Sequence, residues 1–177
     1  MKKIKINKKK GILFWITGLS GSGKTTFGKA IHKDIQKLYG PTLMISGDNI
    51  RKIFYLKGHT KEDRLKILKS YCRFAKFITN QNINLIFAVV GMFNEPRKWN
   101  RQNINNYIEI YIKSNLKKII KLKKKKIYHK KNIQNIVGVN IKPEFPKKPN
   151  ITIVNSFDKP KTKISFQIIK KIKDNIV

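Results

Sequence analysis

Cysteine is almost absent from this chain: Cys72 stands alone, which excludes an internal disulfide and any cysteine-based zinc site. A single thiol fits a reducing compartment, and the expectation is a cytoplasmic protein. Long hydrophobic runs are missing as well. The longest, Ile12–Ile16 and Leu85–Val90, fall far short of the roughly 18–20 residues that cross a bilayer, so an integral membrane protein is excluded. Histidine is sparse, and His32, His59 and His129 are too scattered to suggest a metal site.

Acidic residues are the next shortage. Nine Asp and Glu face 41 Lys and Arg, a formal charge of +32. Such a balance points first to nucleic acid or an anionic surface. Arginine, however, is also scarce: 5 arginines stand against 36 lysines, and Lys, Ile and Asn together fill 83 of the 177 positions. That is the bias of an A- and T-rich genome. Readers of phosphate and bases lean on arginine's planar fork. Compositional drift plus an anionic small substrate is therefore expected, with no specific nucleic-acid partner and no membrane partner.

What is present is enough apolar material for one core, 40% of 177 residues, and one domain rather than two. Met1–Lys10 reads as a basic extension ahead of a domain over residues 11–177. Its basic run followed by Ile12–Leu19 superficially copies a secretory signal, but no small-residue cleavage site follows. Ile12–Thr17 is short, branched and aromatic, as a buried strand is. Lys24–Leu38 has helical spacing through Phe27, Ile31, Ile35 and Leu38. Thr42–Ser46 reads as a second strand, Asn84–Val90 as a third, Tyr107–Ile112 as a fourth and Ile151–Val154 as a fifth. Thr60 and Asp63 mark a helix start, after which Leu65, Leu68, Cys72, Ala75 and Ile78 or Thr79 share a face. Cys72 is thus expected in the core. Ser114 is expected to cap a basic helix reaching Lys124. Residues 123–140 have no clear period, and Thr162–Ile176 closes as an amphipathic helix. Strands alternating with helices predict an α/β fold, a parallel sheet with helices on both faces.

Chemistry concentrates after the first strand. Gly18-Leu19-Ser20-Gly21-Ser22-Gly23-Lys24-Thr25 matches G-x-x-x-x-G-K-[ST] in full. Its backbone N–H groups would cradle phosphates at the positive end of the following helix. Lys24 would reach the β- and γ-phosphates and the Thr25 hydroxyl would ligate magnesium. The third strand ends without an acid. The second ends at Asp48, and strand ends in a parallel sheet face the ligand crevice. Asp48 is the best acidic candidate for phosphoryl transfer; its alternative is a turn aspartate capping a helix over Asn49–Ile53.

Trp15–Thr26, then Gly47-Asp48-Asn49-Ile50-Arg51, then Lys61-Glu62-Asp63-Arg64 resemble adenylyl-sulfate kinase. Weaker likeness continues through Tyr107–Lys113, Ile127-Tyr128, Asn135–Asn140 and the connector with Pro143, Pro146 and Pro149. The resemblance implies a single-domain P-loop NTPase-type fold with a lid over about residues 121–140. It implies ATP, bound by Gly18, Leu19, Ser20, Gly21, Ser22, Gly23, Lys24, Thr25 and Thr26, and Mg2+ at Thr25 and Asp48. Lys24 and Asp48 would be catalytic, and Asp48, Arg51 and Arg64 would hold a nucleotide acceptor phosphorylated on its 3′-hydroxyl. A homodimer is left open. For either arginine the plain alternative is a solvated helix charge.

The departures sit on the acceptor side. One base-stacking aromatic of the family falls on His59 and the other on Pro143; an asparagine falls on Ile67. A serine and an arginine after the third strand fall on Gly91 and Asn94, and the lid's Arg-Asp pair on Leu122-Lys123. Adenylyl sulfate is the first expectation for the acceptor. Other activated nucleotides, such as cytidine diphosphoramidate in surface-polysaccharide modification, are the second, and a decayed nucleotide binder is the third. Glu95–Arg101 reads equally as a different acceptor wall or as a helix with Trp99 packed on the sheet. Lys121–Lys126 reads as a solvated run or as cations embracing ATP.

Overall fold

A computed structural model describes residues 4–122, 124, 125, 128 and 134–176. Lys123, Lys126, Ile127 and His129 of the expected lid lie outside the described residues. The strands are β1 (Ile12–Thr17), β2 (Thr42–Ser46), β3 (Asn84–Val89), β4 (Asn106–Lys113) and β5 (Ile151–Val154). The helices are α1 (Lys24–Tyr39), α2 (Gly47–Ile53), α3 (Lys61–Asn80), α4 (Asn94–Asn103), α5 (Leu116–Lys121) and α6 (Lys161–Asn175).

All strand pairs are parallel, in the order β2-β3-β1-β4-β5. β1 and β3 are buried along their whole length, as a sheet covered on both faces requires. Alternation divides their side chains. Leu13, Trp15, Leu85 and Phe87 meet Leu68, Cys72 and Ala75 of α3 on one face, while Phe14, Ile16 and Ile86 meet Ile31 and Ile35 of α1 and Ile168 of α6 on the other. Register places Thr17 beside Val89 and Tyr111, so β1 and β3 end level while β4 runs on to Lys113. The crevice of a parallel sheet opens at that edge.

Helix boundaries follow local chemistry. Thr60 and Asp63 exchange the reciprocal bonds of a capping box, each at 3.1 Å. One expected cap is corrected, and the alternative reading of Asp48 as a cap is set aside. Asn115, not Ser114, caps α5, its carbonyl oxygen accepting from the Lys118 N–H at 3.2 Å. Ser46 rather than Asp48 caps α2, accepting from the Asn49 N–H at 3.2 Å; a short hydroxyl folds back on the helix start more readily than a residue already inside the first turn. Leu38 also departs from expectation: it is 41% exposed, although Ile31 and Ile35 on the same helix are fully buried. Ile4 and Ile6 pack on the α1–α6 side of the sheet, and the Asn106 side chain accepts from Asn7 N–H at 2.8 Å and donates to Lys10 O at 2.8 Å. No helix among the described residues is long and apolar enough to cross a membrane.

Candidate active site

The loop leaving β1 curls because glycines stand at its tightest points. Gly21 has φ 79°, where a Cβ would meet Ile119 at 2.9 Å; Gly23 has φ 98°, where it would meet Phe27 at 2.8 Å. These are left-handed conformations that glycine adopts freely. Lys24 then opens α1 and folds back, its ammonium donating to Leu19 O at 2.7 Å. Burial pushes that ammonium down to about 7, with Asp48 opposing the shift and Lys125 adding to it.

Ser20, Gly21, Gly23, Lys24, Thr25 and Thr26 line a cavity of about 510 Å³. Leu19 and Ser22 of the same loop are buried, and Gly18 lies against Ile112 O. Asp48 lines the same cavity from the first turn of α2. Its side chain is 81% exposed and its Oδ2 lies 3.4 Å from Lys125 Nζ. Tyr71 steadies this turn, donating to Gly47 O at 3.0 Å; burial raises its phenol to about 12, so it remains a donor. From the basic segment, Lys124 and Lys125 line the cavity and Tyr128 donates to Ser20 O at 3.0 Å.

Arg51 and Arg64 stand apart from that lining. Arg51 Nη1 donates to Leu56 O at 3.1 Å and Gly58 O at 3.0 Å. Arg64 donates to His59 O at 2.9 Å through Nε and to Asn135 O at 2.8 Å through Nη2. Consecutive carbonyls of the α2–α3 loop are therefore gripped by different arginines. His59 is exposed there, and burial with both guanidinium charges lowers its pKa below the ordinary value. Among the described residues, neither arginine has a carboxylate within ion-pair distance.

Glu95–Arg101 belongs to helix α4. Arg97 is buried, donating to Gly91 O at 2.7 Å, Asn94 Oδ1 at 2.6 Å and Glu144 O at 2.6 Å, with its Nε 3.4 Å from Glu109. Trp99 packs against the core of that face. Of the two readings for this segment, the helix is what forms. Cys72 is buried too, its thiol pushed up to about 12 by burial, which leaves no nucleophile. Sequence reasoning passed over Asn155 and Phe157, both of which line the cavity; their position just past the last strand was the available signal.

The family model for adenylylsulphate kinase matches residues 10–154. The chain belongs to the adenylylsulphate kinase family. A cytidine diphosphoramidate kinase from Campylobacter jejuni is 34% identical over 116 residues, 66% of this chain and 68% of that protein. An adenylyl-sulfate kinase from Clostridium acetobutylicum is 31% identical over 154 residues, 84% and 77% of the two chains. The Mycobacterium tuberculosis APS kinase solved in complex with AMPPNP and APS superposes with a TM-score of 0.82 at 20% identity, covering 93% of this chain and 98% of that one. That likeness shows the fold, a single parallel-sheet P-loop domain. As a family member, the chain is a kinase of the adenylyl-sulfate kinase type.

Proposed function

We propose that this kinase transfers the γ-phosphoryl group of ATP to the 3′-hydroxyl of an activated nucleotide in the cytoplasm, with an acceptor of the cytidine diphosphoramidate class. The observation that carries the transfer is the convergence of Lys24, Thr25 and Asp48 on one cavity. Loop N–H groups and Lys24 hold the β- and γ-phosphates, and Asp48 orients the acceptor hydroxyl and receives its proton. The new phosphate ester forms as the bond between the γ-phosphorus and the β-bridging oxygen of ATP breaks, releasing ADP.

Oxygen donors suit magnesium, which binds through one or two protein oxygens plus substrate phosphates. The Thr25 hydroxyl and the Asp48 carboxylate are such donors, and both residues line the cavity. When bound, magnesium neutralises charge on the phosphates. Arg51 and Arg64, without carboxylate partners among the described residues, suit the anionic bridge of the acceptor as charge-assisted forks.

The choice of base rests on the altered wall. Ile67, where the family has an asparagine, is only 8% exposed and sits in the core, and Asn94 already accepts from Arg97. Pro143, where the resemblance puts one ring of the family's adenine sandwich, offers no aromatic face. The Campylobacter relative supports the cytidine reading. Adenylyl sulfate is the second reading, favoured by the longer match to the Clostridium enzyme. The test is ADP release with cytidine diphosphoramidate and with adenylyl sulfate at equal concentration. Preference for the cytidine compound is expected. Exclusive use of adenylyl sulfate establishes the second reading, and no release with either overturns nucleotide kinase activity.

A further inference from the structure

The loop joining β5 to α6 is built against the phosphate loop. Asn155, 5% exposed, donates from Nδ2 to Ser22 O at 2.9 Å, while its Oδ1 accepts from the Phe157 N–H at 3.1 Å. One side chain thus fixes Phe157 relative to the cradle. Phe157 has φ 67°, a left-handed conformation that is costly for a residue with a bulky side chain. Such conformations persist where the surroundings impose them, and they gather at ligand clamps.

The ring lines the same cavity as Thr25, Thr26, Lys159 and Ile164. Lys124 Nζ lies 5.4 Å from its centroid, so a π-face is reachable from outside the core. Sheet order supplies direction. Asp48 follows β2 at one edge, Phe157 follows β5 at the other, and the phosphate loop leaves β1 between them. A nucleoside triphosphate with phosphates on the loop and its transferred group towards Asp48 directs its base to the β5 side.

The geometry points to Phe157 as the platform on which the base of the donor nucleotide stacks, with Asn155 as the residue that positions it. This rests on the kinase reading given above and names a residue for the donor side of that site. Stacking on an aromatic face tolerates any base, so the platform supplies affinity more than base choice.

The test compares equilibrium binding of ADP with that of inorganic tripolyphosphate, which has phosphates but no base. Phe157→Ala weakens ADP binding about tenfold, while tripolyphosphate binding stays within about twofold of wild type. Phe157→Tyr keeps wild-type affinity for both. Phe157→Gly, which relieves the left-handed strain, loses ADP affinity like the alanine variant and shows by its intact melting curve that the fold is kept. Unchanged ADP binding in Phe157→Ala overturns the assignment. So does a parallel loss of ADP and tripolyphosphate, which would mean that the ring shapes the phosphate loop instead of meeting a base. A wild-type protein that binds neither compound overturns the kinase reading itself, and the platform with it.

Discussion

Arg64 Nη2 donates to the carbonyl of Asn135 at 2.8 Å, across a separation of 71 residues. The same guanidinium holds His59 O, so one side chain ties the start of α3 to both the α2–α3 loop and the turn after the basic segment. Burial and the neighbouring Arg51 charge lower the Arg64 pKa from its ordinary value, yet a guanidinium stays charged at any working pH. Two cations kept near each other by neutral carbonyls make a site that gains from an anion.

That arrangement sets the outcome of removing either arginine. A hydrogen bond to a charged group is worth about 1.5–3 kcal/mol, so Arg51→Ala or Arg64→Ala raises the acceptor KM about 10–100-fold. The KM for ATP changes little, because neither side chain lines the phosphate cavity. Lysine at either position recovers part of the loss, since an ammonium lacks the fork. Steady-state kinetics with each substrate varied in turn decides the matter. Equal rises in both KM values would remove the two arginines from acceptor binding.

A second prediction concerns the ion pair under α4. Arg97 and Glu109 are 4% and 1% exposed and lie 3.4 Å apart. Burial drives the Glu109 carboxyl up and the two nearby guanidiniums pull it down; burial prevails. Breaking a buried pair strands one charge, at a cost of about 3–5 kcal/mol. Glu109→Ala is therefore expected to lower stability by about that amount in urea unfolding. Arg101→Ala, whose side chain is 41% exposed, costs less and leaves the acceptor KM unchanged. A large KM effect from Arg101→Ala would revive an acceptor wall along α4.

How much of this was legible in the chain follows from the range of each interaction. Strands such as Ile12–Thr17 and Asn84–Val89 declare themselves because both faces are buried and nearly every position is apolar. The phosphate loop is legible because its glycines, lysine and threonine are fixed at one spacing. Caps are ambiguous where neighbours compete, as Ser114 does with Asn115. The role of Arg97 was not legible: Gly91 and Asn94 are near it in the chain, but Glu109 and Glu144 meet it only once the chain has folded. Phe157 was hidden for another reason. Nothing in its residue type signals a positive φ, which is imposed from outside by Asn155 and the phosphate loop.

The last prediction uses the lysine of the cradle. Burial lowers the Lys24 ammonium from 10.5 to about 7, so the fold favours its neutral form. Between those values the unfolded chain binds more protons than the folded one, and stability from this group rises with pH. The contribution is full above pH 10.5 and is lost as pH falls through about 7. A polyphosphate placed against Lys24 reverses the balance, because a nearby anion favours the ammonium. At pH 8–9, nucleotide binding is then expected to take up as much as about one proton, and the uptake shrinks below about pH 7. Calorimetric titration with ADP in Tris and in HEPES reads that proton as a difference in apparent heat, since the two buffers ionise with different enthalpies. Lys24→Met should abolish the difference and lower turnover about 10²–10³-fold, the size of losing one charge-stabilising donor. Identical heats in both buffers at pH 8.5 would show that Lys24 does not gain a proton when phosphates arrive, and its place on the β- and γ-phosphates would have to be given up.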